Sequence, residues 1–108
     1  MALDLYIAKN EKEAPYKYPS ASFELQPHEL IFYRFGLPEG KFPLFERMKD
    51  YYSDTNYNPG ELNALIAEVK EIKSLFPENN QLAEQLNNIL KACESANRDN
   101  LSIWVFCD

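Results

Sequence analysis

His28 is the chain's one histidine, set in QPHEL with Glu29 beside it. Nucleophilic catalysis would need it as the base, with Ser20, Ser22 or a cysteine as nucleophile. No motif sets any of these on the sharp turn that a strained nucleophile requires, so His28 reads first as a local hydrogen-bonding or surface residue. Metal chemistry lacks its ligands, because a lone histidine with Cys93 and Cys107 fourteen residues apart makes no Cys/His cluster. Carboxylates alone could hold magnesium or calcium, yet no calcium-loop pattern with its glycine occurs. GLPEGK matches neither a phosphate loop nor a dinucleotide fingerprint in spacing. The expectation is a chain with no metal site and no cofactor.

Paired carboxylates are the remaining route to catalysis. Asp50 and Asp54 stand four apart and would share a face if a helix reached that far. Two such groups can divide the roles of acid and base. Such residues are much more often a solvated helix face, and the expectation is that the chain is not an enzyme.

The segment RMKDYYSDTNYNPGE has a different character. It concentrates Arg47, Asp50, Tyr51, Tyr52, Asp54 and Glu61 at one helix end, a turn and the next helix start. Tyrosine gives a large rigid contact with a polar tip, and interfaces are enriched in it and in arginine. The carboxylates could pair with basic groups on a partner. Those six residues are the candidate protein-binding surface. Tyr57 is explained more simply as a core residue.

Charge points the same way. Eleven Lys and Arg against seventeen Asp and Glu leave a formal charge of −6, with no basic tract. A surface built to neutralise phosphates is therefore not expected, nor is a nucleic-acid partner. An acidic surface keeps a protein soluble and steers basic partners towards it. The start, MALDLYIAKNEKE, lacks the basic and apolar regions of a signal peptide. No apolar run approaches the roughly 18 residues of a membrane span. The expected location is the cytoplasm, where Cys93, on the apolar face of a helix, and Cys107, near the end of a strand, would be small unpaired core thiols.

The elements that must position these residues follow from periodicity. Residues 3–8 alternate as a strand, and Phe23–Leu25 could form a short second one. Between them lies a loop holding Tyr16 and Tyr18, punctuated by Pro15 and Pro19. Residues 27–35 suit a helix that starts at Pro27 or a strand; a short helical or turn segment leading into a strand is the expectation. Leu44, Phe45, Met48, Tyr51 and Tyr52 recur at helical spacing over 42–52, and residues 54–58 break that pattern. Asn58 as cap, Pro59 at the first helical position and Glu61 three after the cap predict a capping box, with Tyr57 and Leu62 as its hydrophobic staple. The helix that follows carries Leu62, Leu65, Ile66, Val69, Ile72 and Phe76 on one stripe and stops at Pro77. Another runs over 80–97 with Leu82, Leu86, Ile89, Leu90, Cys93 and Ala96 inward. Residues 101–107, LSIWVFC, form the closing strand, apolar on both faces.

These elements predict one α+β domain over residues 1–108. A small β-sheet holding the N- and C-terminal strands packs against an antiparallel pair of long helices plus a shorter helix. Within it, LDLYI, FPLFERMKDYYSDTNYNPGEL and SIWVFCD together resemble small bacterial immunity proteins of toxin–immunity systems. The resemblance spans most of the chain. It implies a cytoplasmic single-domain protein that binds a cognate toxin domain and blocks its active site or an essential surface. A toxin domain with a basic surface would complement the charge of this chain. Two other readings stand beside it: a small ligand-binding or enzymatic domain with a pocket between helices and sheet, and a domain that self-associates, as a homodimer, through the strand face around Trp104 and Phe106.

Overall fold

A computed structural model describes residues 2–16, 18–76 and 80–107. The order of elements is β1 (Ala2–Ala8), β2 (Ala21–Glu24), α1 (Leu25–Glu29), β3 (Thr55–Tyr57), α2 (Leu62–Leu75), α3 (Asn80–Arg98) and β4 (Ser102–Cys107). The four strands form one antiparallel sheet in the order β2-β1-β4-β3. The first and last strands are thus central neighbours, Leu5 opposite Val105 and Ile7 opposite Ile103. This is an α+β fold.

Side-chain alternation sets which face is buried. Leu3, Leu5, Phe23, Tyr57, Ile103 and Val105 point inward and are wholly covered. Helix α3 lies on that face, touching β1, β2 and β4, and α2 packs along α3. Two side-chain pairs show that the helices run antiparallel: Lys73 with Asn87 and Asn63 with Asn97, where one number falls as the other rises. The expected apolar stripes of both helices are buried or half-buried, as laid out by their 3.6-residue period. Pro77, expected to end α2, lies outside the described residues. No helix among the described residues is long and apolar enough to cross a membrane.

The other face of the sheet is partly covered by the loop between β1 and β2. A helical turn at Ala14–Tyr16 rests on β1, leaving Ala8 and Ala14 without exposure. Trp104 on β4 donates its indole N–H to the Ala8 carbonyl at 3.1 Å. Tyr18, in the same loop, is 94% exposed; the side chain of Tyr16 is outside what is described.

Several segments depart from expectation. Residues 25–35 are helical throughout: α1 continues into a π-helical turn, Leu30–Phe35, and no strand follows. Pro27 falls in the first turn, where a backbone N–H has no helical partner to lose. The buried residues are Pro27, His28, Ile31 and Phe32, a helical pairing of positions, while Tyr33 and Phe35 face out. Gly36, at φ +70°, ends the segment in a conformation that L side chains rarely adopt. Residues 42–52 are not the α-helix their spacing predicts. They form a 3-10 helix, Phe45–Met48, flanked by turns. Its buried side chains are Phe42, Phe45, Met48 and Tyr51, each three apart, which matches three residues per turn rather than 3.6. Leu44 is half-buried and Tyr52 stands exposed. Residues 55–57, expected to be irregular, are the edge strand β3.

The capping box at Asn58 is present in both directions. Asn58 Oδ1 accepts from the Glu61 amide, and the Asn58 amide donates to Glu61 Oε1, each at 3.1 Å. It opens a 3-10 turn, Pro59–Glu61, that leads into α2. Of the cysteines, Cys93 is buried in α3 as expected, but Cys107 is exposed, because it closes β4 on the rim of the sheet; neither is paired. Asn58→Ala should therefore lower stability by about 1 kcal/mol, read as a reduced chemical-denaturation midpoint with an unchanged slope. Thiol labelling of the native protein should modify Cys107 and leave Cys93, whose burial pushes its pKa up to about 12, unreacted until the chain unfolds. Equal labelling of both would contradict the placement of Cys93.

Candidate functional site

A surface pocket of about 330 Å³ opens between α1 with its π-helical continuation and the turn at residues 50–52. Leu25, His28 and Glu29 form one wall, Tyr33 and Arg34 a second, and Asp50, Tyr51 and Tyr52 the third. The walls come from segments 15 or more positions apart, so something must fix them together. His28 does this. Its Nε2–H donates to the Met48 carbonyl at 2.7 Å, joining α1 to the end of the 3-10 helix.

The imidazole is 1% exposed and ringed by aromatics: Tyr51 edge-on with centroids 4.7 Å apart, Phe32 at 4.8 Å and Phe23 at 5.2 Å. A carbonyl can only accept, so Nε2 must carry a proton, and a neutral ring then leaves Nδ1 as a bare acceptor. Nδ1 is buried and has no hydrogen-bond partner among the described residues. Burial holds the pKa of His28 below its ordinary value, against the Met48 carbonyl and the carboxylates of Glu29 and Asp50, which pull it up.

Asp50 shapes the turn that forms the third wall. Its carboxylate accepts from the Tyr52 amide at 3.0 Å and from the Ser53 hydroxyl at 2.8 Å, an Asx-type turn. Those bonds, the Tyr52 amide foremost, hold its pKa below the usual carboxylate range, so it stays ionised. The turn leaves Tyr52 71% exposed, its ring edge-on to Tyr51. Tyr33 is 62% exposed, donates to the Lys49 carbonyl at 3.3 Å and carries the Lys49 ammonium over its ring at 5.9 Å.

The six residues proposed from sequence divide in two. Asp50, Tyr51 and Tyr52 come together in the pocket. Arg47, Asp54 and Glu61 lie outside it and are engaged in holding the chain together. Arg47 forms an ion pair with Glu61, donates to the Asn56 carbonyl at 3.2 Å and lies over the Tyr57 ring. Asp54 accepts from the Cys107 amide at 2.9 Å, tying the approach to β3 to the end of β4. No helix spans Asp50 to Asp54, so the shared helical face expected of them does not form. Sequence reasoning missed Leu25, Glu29, Tyr33 and Arg34, and weighed His28 only as a catalytic base that it set aside. The signal that could have found them was His28 itself, which shares a helical stripe with Ile31 and Phe32 and places a polar ring among core residues.

Among the described residues no hydrogen bond joins His28 to a serine or a cysteine. Ser22 donates to Asp4 at 2.7 Å on the opposite face of the sheet, and Cys93 is packed in α3. Among the described residues no three of His, Cys, Asp and Glu gather as a metal-binding group. The arrangement is a concave patch of aromatic faces beside fixed charge, on an α+β scaffold. Compared with known proteins, the chain matches no family model, no curated protein and no solved structure.

A histidine kept neutral by burial makes stability depend on pH. The unfolded chain takes up this proton near its ordinary value of about 6.5, the folded chain only at lower pH, so stability is fully present above that value and falls as pH drops below it. The depressed carboxylates Asp50 and Glu61 add their own losses only near and below the ordinary carboxylate range. Between pH 7.5 and 5.5 the denaturation midpoint should decline, and His28→Phe should flatten that decline. A wild-type midpoint that is constant over this window would contradict the buried neutral ring.

Proposed function

We propose that this protein is a binding module that docks a protein partner on the face formed by Tyr33, Tyr52 and the pocket between them, and that the partner is a bacterial toxin domain which it neutralises. The observation that carries the proposal is the exposure of two tyrosines, 62% and 71%, on the rim of one pocket whose walls are fixed from beneath. Large aromatic side chains left in water around a preorganised recess are how interfaces supply anchor contacts. The formal charge of −6 would draw in a basic partner and speed encounter. Inhibition is then steric and electrostatic, with no reaction carried out by this chain. The toxin itself enters through the resemblance of LDLYI, the Tyr51–Tyr52 segment and SIWVFCD to immunity proteins. Self-association through the outer sheet face is less favoured, because the Ala14–Tyr16 turn and the Trp104–Ala8 bond already occupy part of it.

Binding of toxin-like domains encoded beside this protein, measured by calorimetry, tests the proposal. A bound domain should lose at least about tenfold in affinity to the folded Tyr33→Ala, Tyr52→Ala double variant, since anchor residues carry about 2 kcal/mol or more. Affinity for wild type should also fall as salt is raised. A partner that binds the double variant as tightly as wild type would remove this face from the account.

A further inference from the structure

The lining of the pocket fits one ligand chemistry better than any other. Glu29 and Asp50 supply two carboxylates, and Glu29 makes no ion pair among the described residues. Tyr33, Tyr51 and Tyr52 supply aromatic rings, whose faces attract cations. His28 also lines the pocket; its ring is 1% exposed, and its Nδ1 is buried with no partner among the described residues. An anion would find two charges of its own sign beside it. A donor of N–H bonds would find acceptors and π-faces together.

Arg34 is the cation of the lining; it is exposed, in no ion pair among the described residues, and on a long flexible stem that can turn its charge to water. It does not neutralise either carboxylate. The choice among cations follows from shape. An ammonium is a compact, strongly hydrated point charge, whereas a guanidinium is flat, stacks on aromatic rings and presents five donors in a plane. Flat walls with acceptors in several directions suit the second.

We propose that the pocket receives the guanidinium of an arginine side chain carried by the protein partner, paired with Glu29 and Asp50 and packed on Tyr52, beside the Tyr33 ring that already carries Lys49. This inference rests on the reading of the chain as a protein-binding module and names the contact at its centre.

The 108-residue chain can be titrated with N-acetyl-arginine methylamide, followed by ¹H–¹⁵N correlation spectra of the backbone and of the His28 ring. The matching citrulline amide, equal in shape but uncharged, and the lysine amide serve as comparisons. The arginine probe should shift Glu29, Tyr33, Tyr51, Tyr52 and the His28 ring saturably, and bind at least about tenfold more tightly than the citrulline probe. The lysine probe should fall between them. Glu29→Gln with Asp50→Asn, which keeps the acceptor of the Asx turn, should erase the difference between arginine and citrulline. Equal responses to those two probes, a stronger response to lysine, or no saturable shift at the pocket would overturn the proposal. No partner protein enters this experiment, so its failure is separate from that of the binding face: partner affinity still lost in the Tyr33→Ala, Tyr52→Ala variant would discard the guanidinium and retain the face.

Discussion

A buried hydrogen bond, with an exposed one from Tyr33 to the Lys49 carbonyl beside it, ties the walls of the pocket together. His28 Nε2–H to the Met48 carbonyl, at 2.7 Å, is buried among Phe23, Phe32 and Tyr51 and joins two segments that no sheet or helix pair connects. Shielded from water, such a bond is costly to leave unmade, because the carbonyl would keep its desolvation penalty without a partner. It also sets the tautomer of the ring, and so the character of the acceptor left at Nδ1. Position and tautomer therefore share one cause, while burial keeps the ring neutral.

The same device recurs around the irregular third of the chain. Glu68 on α2 accepts from the Leu44 and Phe45 amides at 3.1 and 2.9 Å, capping the 3-10 helix from a neighbouring element. Tyr57 donates to the Leu44 carbonyl at 2.6 Å, and its burial pushes its phenol pKa well up. Gln85 on α3 accepts from the Glu24 amide at 2.9 Å, where β2 gives way to α1. Short turns leave backbone groups unpaired, and each of these side chains pairs one that secondary structure does not. The aromatic stack of Phe23, Phe32 and Phe45 fills the space enclosed, each such ring contributing roughly 1.5–3 kcal/mol through burial. A firmly held scaffold of this kind lets Tyr33 and Tyr52 remain in water without collapsing onto the core.

How much of this the sequence reveals depends on the range of the interactions involved. Both long helices, the capping box at Asn58 and the two terminal strands were legible, since apolar periodicity and cap residues act within a few positions, whereas the pairing of those strands is a tertiary fact. The 3-10 helix was misread because Leu44 and Tyr52 complete an α-helical pattern that Phe42, Phe45, Met48 and Tyr51 contradict only once burial is known. β3 has three residues, too few for alternation to register. At the site, Tyr51 and Tyr52 with Asp50 stood out by local density. The role of His28 could not, because its hydrogen-bond acceptor Met48 lies 20 positions away and its burial is decided by aromatics from three separate elements. Arg47 and Glu61 looked like contact residues for a similar reason: their mutual ion pair is a tertiary fact.

The central claim is that the face around Tyr33 and Tyr52 is where a partner protein docks. Hydrogen–deuterium exchange on the complex with a toxin domain against which the protein protects growing cells tests this most directly. The account predicts slowed exchange over residues 25–35 and 49–53, with the outer sheet face unchanged. Protection confined to β1 and β4 around Tyr6, Trp104 and Phe106, with residues 25–35 and 49–53 exchanging as in the free protein, would contradict it.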